Sequence, residues 1–341
     1  MSLNKINITV AGATGYVGLD LIKILSSHPR ARIKYLCAQK NIGKNIQFFD
    51  KRIKKRLPKI SNLKNVNWNE IDVLFCSLPT GASQILAKKL IKKYNLKIID
   101  LSADFRLTNK KDFYKFYKLK HSAPELLKLS KYSLTEFAKK DLKKFKIIAC
   151  PGCYPTSIII PLFPLFKGKF IQKDKVIIDS KSGYSGAGRS ILKEAKKMKL
   201  FESLKPYGMP NHRHNAEINQ ELSFLHKNFN FTPHILPMFR GILSSIYVKK
   251  SKNNPSTKKI LNFLKKFYRK QKFVRIYKKN ALIGTKNVIN TNYCDISICE
   301  TNDKNNLVIL SAIDNLIKGG AGQAIQNLNI KFGFNIDEGL N

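Results

Sequence analysis

Two thiols three residues apart are the first chemistry the sequence offers. The segment Cys150-Pro151-Gly152-Cys153-Tyr154-Pro155-Thr156 follows a strand-like apolar run, and from Thr156 onward the pattern reads as a helix start. A cysteine at such a junction has its thiolate stabilised by the helix dipole, and the thiolate is the form that attacks a carbonyl carbon. Two plainer readings stand beside this one: a pair of small buried hydrophobes, or a C-x-x-C redox pair. The redox reading suits the position poorly, because such pairs open a smaller fold and no such unit surrounds this segment.

The second reactive segment is Pro210-Asn211-His212-Arg213-His214-Asn215-Ala216-Glu217, in a chain with six histidines in all. A histidine near a thiol can exchange its proton at neutral pH, because imidazole titrates near 6.5. As a metal set, His212, His214 and Glu217 lack a convincing fourth ligand, so no metal is expected. The helical pattern starts at Ala216, with Ile218 and Leu222 on one face, which leaves both histidines in the preceding loop or strand.

Gly12-Ala13-Thr14-Gly15-Tyr16-Val17-Gly18 lies between a strand and a helix, where a dinucleotide site needs it. Glycine lets the backbone approach a pyrophosphate, and the helix start adds N–H donors. The end of the second strand reads Cys37-Ala38-Gln39-Lys40, with Lys44 nearby and no acid to hold a ribose 2′-hydroxyl. A basic, acid-free strand end suits the 2′-phosphate of NADP. The loop Ser182-Gly183-Tyr184-Ser185-Gly186-Ala187-Gly188-Arg189 could cradle a phosphate or the nicotinamide end of the cofactor. Arg106, in Ser102-Ala103-Asp104-Phe105-Arg106, could clamp a phosphate with its two-pronged guanidinium. An ordinary surface arginine fits that local sequence equally well.

The elements that must hold these residues change character near residue 150. Before it, strand patterns at 6–10, 33–37, 71–78, 97–101 and 146–150 alternate with helical ones, as at 83–94, which implies a parallel sheet with crossovers. After it, β-rich segments at 176–180, 242–249 and 293–300 suggest a mixed sheet with helices, including 258–268. A strand at 307–312 and a helix over 314–329 close the chain. The expected architecture is α/β: a parallel sheet with crossover helices, followed by a mixed sheet with helices.

Composition excludes less than it first suggests. Sixty-three basic against 22 acidic residues leave a net charge of +41, a footprint common among nucleic-acid binders. The lysines are spread through nearly every segment, so most are read as solvated surface and no specific nucleic-acid partner is expected. The best binding candidates are Lys51-Arg52-Ile53-Lys54-Lys55-Arg56 and residues 110–120, where Phe113, Tyr114, Phe116 and Tyr117 interleave with lysines. No apolar run is long enough for a membrane span. Met1 leads into the apolar run 6–10 without a basic leader region, which reads as a cytoplasmic chain. Without a signal peptide, six cysteines read as thiols.

Together these segments resemble the N-acetyl-gamma-glutamyl-phosphate reductase family, in order and along essentially the whole chain. Gly152-Cys153-Tyr154-Pro155-Thr156 and His212-Arg213-His214 carry the likeness most specifically; Phe231-Thr232-Pro233-His234 and Asp314-Asn315-Leu316-Ile317-Lys318-Gly319 extend it. The resemblance implies NADPH-dependent reduction of N-acetyl-gamma-glutamyl phosphate to N-acetylglutamate 5-semialdehyde, through a cysteine thioester, in arginine biosynthesis. It makes Cys153 the nucleophile and His212 its acid–base partner. Residues 12–18, Ser182, Gly183, Ser185, Gly186, Gly188 and Asn315 would line the NADP site, and Arg106, Tyr207, His214 and Glu217 would lie near the substrate. It also implies a homo-oligomer, dimer or tetramer. The family fold would be α/β: a Rossmann-type dinucleotide-binding domain over 1–150 and 313–341, and an inserted α+β catalytic and oligomerisation domain with a mixed sheet over 151–312. Thr80 and Ala216 depart from the family pattern, where histidine and proline are usual.

Overall fold

Strands with apolar residues on both faces can only sit inside a layered sheet, and Val73–Cys76, every residue of it buried, is such a strand. The computed structural model describes residues 5–138, 140–193, 199–223 and 229–340; Met1, the start of the cytoplasmic reading, lies outside them. The chain divides into two compact units, residues 1–151 with 320–341, and residues 152–319.

The first unit carries β1 (Ile6–Ala11), α1 (Tyr16–Ser27), β2 (Ala31–Cys37), β3 (Ile60–Ser61), β4 (Val73–Cys76), α2 (Ala82–Leu90), β5 (Lys97–Asp100), α3 (Lys110–Tyr117), β6 (Ser130–Tyr132) and β7 (Ile147–Ala149). Its sheet runs β3-β2-β1-β4-β5-β7-β6, and every pairing is parallel. The order reverses at β1, and the carboxyl end of a strand at such a switch point is where open α/β sheets bind ligands. The helix Gly322–Phe332 returns to this unit, its Ala324, Ile325 and Leu328 packing with Leu21, Ile22 and Leu25 of α1.

Residues 110–120 are not an aromatic platform. They form α3, in which Phe113 is fully buried, stacked on Tyr117 at 4.9 Å, while Tyr114 faces solvent. Of the four interleaved aromatics Phe113 is core, and Phe116 and Tyr117 are half-buried.

The second unit carries α4 (Cys153–Lys167), β8 (Val176–Gly183), β9 (Lys205–Pro206), α5 (His214–Glu221), β10 (Phe229–Leu236), β11 (Ile242–Lys249), α6 (Thr257–Tyr268), β12 (Val274–Ile276), β13 (Cys294–Glu300) and β14 (Asn306–Ile313). Its sheet runs β12-β13-β14-β11-β8-β10-β9 with parallel and antiparallel pairings mixed. Burial alternates along β11, the mark of a sheet covered on one face, and α4 packs against β11 and β14. Pro164 inside α4 removes the N–H that would serve Ile160; the Tyr268 hydroxyl donates to the Ile160 carbonyl instead. Residues 314–319 stay with this unit rather than leaving it at 313. Asp314 accepts from Arg240 at 3.1 Å and Asn315 from the Gly241 amide at 2.7 Å, and a π-helical turn, Ile317–Ala321, precedes the last helix.

Candidate active site

Cys153 is the first residue of α4, with Gly152 in extended conformation as its N-cap. The helix therefore begins at the thiol itself, three residues before the start at Thr156 that the pattern suggested. Pro155 obscures the boundary from sequence, yet proline is at home in a first helical turn, where its missing N–H has no intrahelical acceptor. Cys153 is half-buried and thus open to a substrate, whereas Cys150 is 1% exposed. Burial pushes the Cys150 thiol up to about 12, and Asn327 Nδ2 lies 3.6 Å from its sulfur. That thiol stays protonated and inert at neutral pH, which separates the two cysteines.

The turn before Cys153 is held by a carboxylate. Glu217 is fully buried; its Oε2 accepts the Gly152 N–H at 2.8 Å, and its Oε1 lies 3.8 Å from His214 Nε2, one helical turn back on α5. Glu217, expected at the substrate, thus grips the nucleophile's turn and the histidine ring together.

His212 and His214 are both buried, their ring centroids 4.9 Å apart. Helix α5 begins at His214, two residues earlier than the pattern suggested, so only His212 lies in the loop. The His214 backbone N–H donates to His212 Nδ1 at 3.2 Å, which places the proton of a neutral His212 ring on Nε2. Tyr154, Tyr207 and Phe231 meet this ring edge-on, with centroids 5.7, 5.2 and 5.4 Å away. Burial in that aromatic cage, then the Arg213 charge, pulls the His212 pKa down to about 4. His212 is therefore neutral at physiological pH and a donor through Nε2, while His214 has the carboxylate partner. Tyr207 donates to the Tyr154 hydroxyl at 3.3 Å, which donates in turn to the His234 carbonyl at 3.1 Å. Burial raises the Tyr207 hydroxyl to about 12, so it serves as a donor.

Sequence reasoning gave Gly319 no role of its own. A Cβ added there would sit 2.6 Å from Cys153 Cβ and 2.9 Å from its Cα. Only glycine lets the π-helical turn lie against the nucleophile, and the Lys318-Gly319-Gly320 run is the signal that could have marked it.

The loop after β8 answers one of its two readings. The amides of Gly183, Tyr184 and Ser185 donate to the carbonyls of Gly241, Met238 and Phe239, and that of Gly188 to Ser185. These four donors are therefore not available to cradle a phosphate. The side chains remain a set: Asn315 Nδ2 donates to Ser185 Oγ at 2.9 Å, and an added Cβ on Gly186 would meet Ser182 Oγ at 3.2 Å. Ser182 is buried, whereas Gly186 is exposed.

In the first unit, Gly12 takes φ +86° and lies against Ser77, whose carbonyl a Cβ would strike at 2.0 Å; one on Gly18 would strike the Gly12 carbonyl at 2.3 Å. Gly12 and Ala13 amides donate to the Cys37 carbonyl. Those two glycines are required by packing, but Gly15 is not: its nearest neighbour would be 3.5 Å away. Gly15 caps α1, whose start has neither a capping side chain nor an acid in its first turn. Thr14, Tyr16 and Val17 are half-exposed there, and Lys40, past the end of β2, is exposed. An open helix start beside a glycine turn fits a pyrophosphate, and the acid-free end of β2 fits an added phosphate. Arg106 is buried within this unit, Nη2 donating to the Leu101 carbonyl at 2.9 Å. Among the described residues no group of three or more His, Cys, Asp or Glu is placed to hold a metal ion, and no helix is long and apolar enough to cross a membrane.

A parallel nucleotide sheet, a mixed-sheet unit and a cysteine opening its first helix define a class, the semialdehyde dehydrogenases. The NAD-binding domain model of that class matches residues 7–151 and its dimerisation domain model residues 153–315. The fold agrees with solved aspartate semialdehyde dehydrogenases: form II from Vibrio cholerae has a TM-score of 0.71 at 15% identity over 97% of this chain and 99% of that one. The Candida albicans enzyme, solved with NADP, has a TM-score of 0.69 at 17% identity over 98% and 100%. At sequence level the relatives are different proteins. N-acetyl-gamma-glutamyl-phosphate reductase of Brachyspira hyodysenteriae is 43% identical over 98% of both chains, and that of Ehrlichia canis 40% over 97% and 96%. Within its class, this chain belongs to the N-acetyl-gamma-glutamyl-phosphate reductase family, and it is an oxidoreductase with an NAD(P)-binding domain.

Proposed function

We propose that the chain reduces N-acetyl-gamma-glutamyl phosphate to N-acetylglutamate 5-semialdehyde and phosphate in arginine biosynthesis, in the cytoplasm, with NADPH as reductant. The observation that carries the reading is Cys153 at the head of α4, its turn pinned by Glu217 beside two histidines. Cys153 Sγ attacks the acyl carbon, phosphate departs with the C–O electron pair, and a thioester remains. The helix start favours the thiolate, and His214, beside the Glu217 carboxylate, receives its proton. NADPH, when bound, supplies the hydride that the thioester carbon accepts. His212 Nε2–H donates a hydrogen bond to the oxyanion that hydride addition leaves on that carbon, and collapse of the oxyanion to the aldehyde expels the Cys153 thiolate. Arg106, its guanidinium plane fixed by the Leu101 carbonyl, is the proposed partner of the substrate phosphate, and Tyr207 and His214 line the acyl side.

The cofactor would be held by residues 12–18, by Lys40 at its 2′-phosphate, and by Ser182, Gly183, Ser185, Gly186, Gly188 and Asn315. The dinucleotide domain would comprise 1–151 and 320–341, with the catalytic domain 152–319 between them in the sequence. A homo-oligomer follows from the dimerisation domain match. We assign a dimer to the uncovered face of the second sheet, where Ile177 and Tyr247 are paired neighbours on β8 and β11 and both exposed. The deciding assay follows the reverse reaction, NADP reduction with N-acetylglutamate semialdehyde and phosphate, beside aspartate semialdehyde. Turnover of the second and not the first would overturn the proposal.

A further inference from the structure

The first unit has a cleft that this chemistry does not use. It encloses about 980 Å³ and is lined by Lys44, Lys51, Lys54, Arg56 and Lys59, together with Phe48 and four uncharged residues. No carboxylate lines it. The one acid between residues 40 and 64, Asp50, is held by Arg52, which also reaches the buried Asp20 at 2.8 Å. The local counter-charges are therefore committed to Arg52, outside the cleft lining.

The cleft is built rather than incidental. Residues 43 and 44 pair with Ile60 through two backbone bonds, Gly43 N to Ile60 O at 2.8 Å and Ile60 N to Lys44 O at 2.9 Å. Gln47 Nε2 donates to the Lys55 carbonyl at 2.7 Å, and the flanking Ile46 and Ile53 are anchored in the core, each 1% exposed. Phe48 is the most exposed apolar side chain of the segment, ahead of Ile42 at 49%. It is 73% exposed, with Lys44 Nζ over its ring at 4.8 Å.

We infer that this cleft binds single-stranded nucleic acid, without sequence preference. Five cations with no acid among them track a phosphodiester backbone, and an exposed ring gives a base a face to stack on. A duplex would leave that ring unused, since its bases are already stacked. A single phosphate would engage only a fraction of so wide a cleft. The charge is also local. The cavity beside α6 also has lysines, Lys258, Lys265, Lys278 and Lys279, but Glu300 lies among them, 3.0 Å from Lys279.

The test is fluorescence anisotropy of the full chain with a fluorescein-labelled oligo-dT, titrated across salt concentrations. Five contacts predict a slope of log K against log salt of about −3.5, at roughly 0.7 per cation. The combined Lys51→Glu, Lys54→Glu and Arg56→Glu variant should lose at least tenfold in affinity at low salt and bring the slope to about −1.4 or shallower. Phe48→Ala should weaken binding about fivefold or more with the slope unchanged, as expected for a lost stacking contact. Lys258→Glu, Lys265→Glu and Lys278→Glu together change the charge equally and should leave binding within about twofold. Two results would overturn the inference: equal losses in both triple variants, which would mean adherence by total charge, or full displacement of the oligonucleotide by saturating NADP, which would make the cleft part of the cofactor site. Reductase activity within twofold of the parent shows that the variants fold.

Discussion

Glu217 accepts the Gly152 backbone N–H at 2.8 Å, and through that bond a residue of α5 sets the turn from which Cys153 projects. A buried N–H left without its acceptor costs about 1–3 kcal/mol. Glu217→Leu should therefore lower unfolding stability by about that amount and cut kcat, as read from denaturant melts and steady-state rates. Glu217→Gln retains a carbonyl for Gly152 and should preserve most of the stability. Its lost charge should appear instead as a shifted pH dependence of iodoacetamide alkylation at Cys153. Equal stability losses in the two variants would count against the bond.

The cysteines should behave oppositely. Cys153→Ser should abolish turnover and leave NADP affinity within about twofold. Cys150→Ser should keep substantial activity, because a thiol pushed up to about 12 by burial contributes no nucleophile at neutral pH. Peptide mapping after brief alkylation of the native protein should find the label on Cys153 and not on Cys150. A dead Cys150→Ser beside an active Cys153→Ser would reverse the assignment.

Much of this arrangement was legible in the sequence, and the parts that were not have physical reasons. The residue types at 150–156 and 210–217 announced a thiol and an imidazole pair, because few other roles suit them. Where α4 starts was hidden by Pro155, which reads as a helix breaker unless its place in the first turn is known. Strand β10 went unmarked because Pro233 lies inside it. The bond from Gly152 to Glu217 joins residues 65 apart, and no local pattern encodes such a partner. The close approach of Gly319 to Cys153 is a tertiary fact of the same kind.

Gly319→Ala tests that approach. A methyl group 2.6 Å from Cys153 Cβ cannot be accommodated without moving backbone, and about 1 Å of misplacement at a reacting group costs on the order of 10²-fold in rate. We expect kcat to fall by about that factor, with NADP affinity little changed. An alanine variant with parental kcat would show that the turn yields without disturbing the thiol.

Cofactor choice rests on the basic, acid-free end of β2. NADP should exceed NAD in kcat/KM by at least tenfold, and Lys40→Glu should narrow the ratio mainly through KM for NADP. An unchanged ratio in that variant would remove Lys40 from the 2′-phosphate site.

The two histidines separate by titration as well as by rate. His212 falls from about 6.5 in the unfolded chain to about 4 in the fold, because burial disfavours its charged form. Between those values the unfolded chain binds more protons, so this residue's contribution is fully present above pH 6.5 and is lost as pH falls toward 4. The full shift corresponds to about 3 kcal/mol, on an order-of-magnitude basis. Asp100, fully buried and raised by burial to about 7, opposes it: its contribution is present at low pH and lost as pH rises through 7. The difference between His212→Asn and the parent, measured by denaturant unfolding at pH 5 and 7.5, isolates the histidine. The variant should be less sensitive to acid than the parent. In catalysis a neutral ring with its proton on Nε2 acts as a donor, so His212→Asn should lower kcat by roughly 10²–10³-fold without moving the acidic limb of the pH–rate profile. His214, paired with Glu217, should set that limb, and His214→Asn should remove it along with rapid alkylation of Cys153. If the limb disappears with His212 and survives loss of His214, His212 is the base and the assignment of the two rings is reversed.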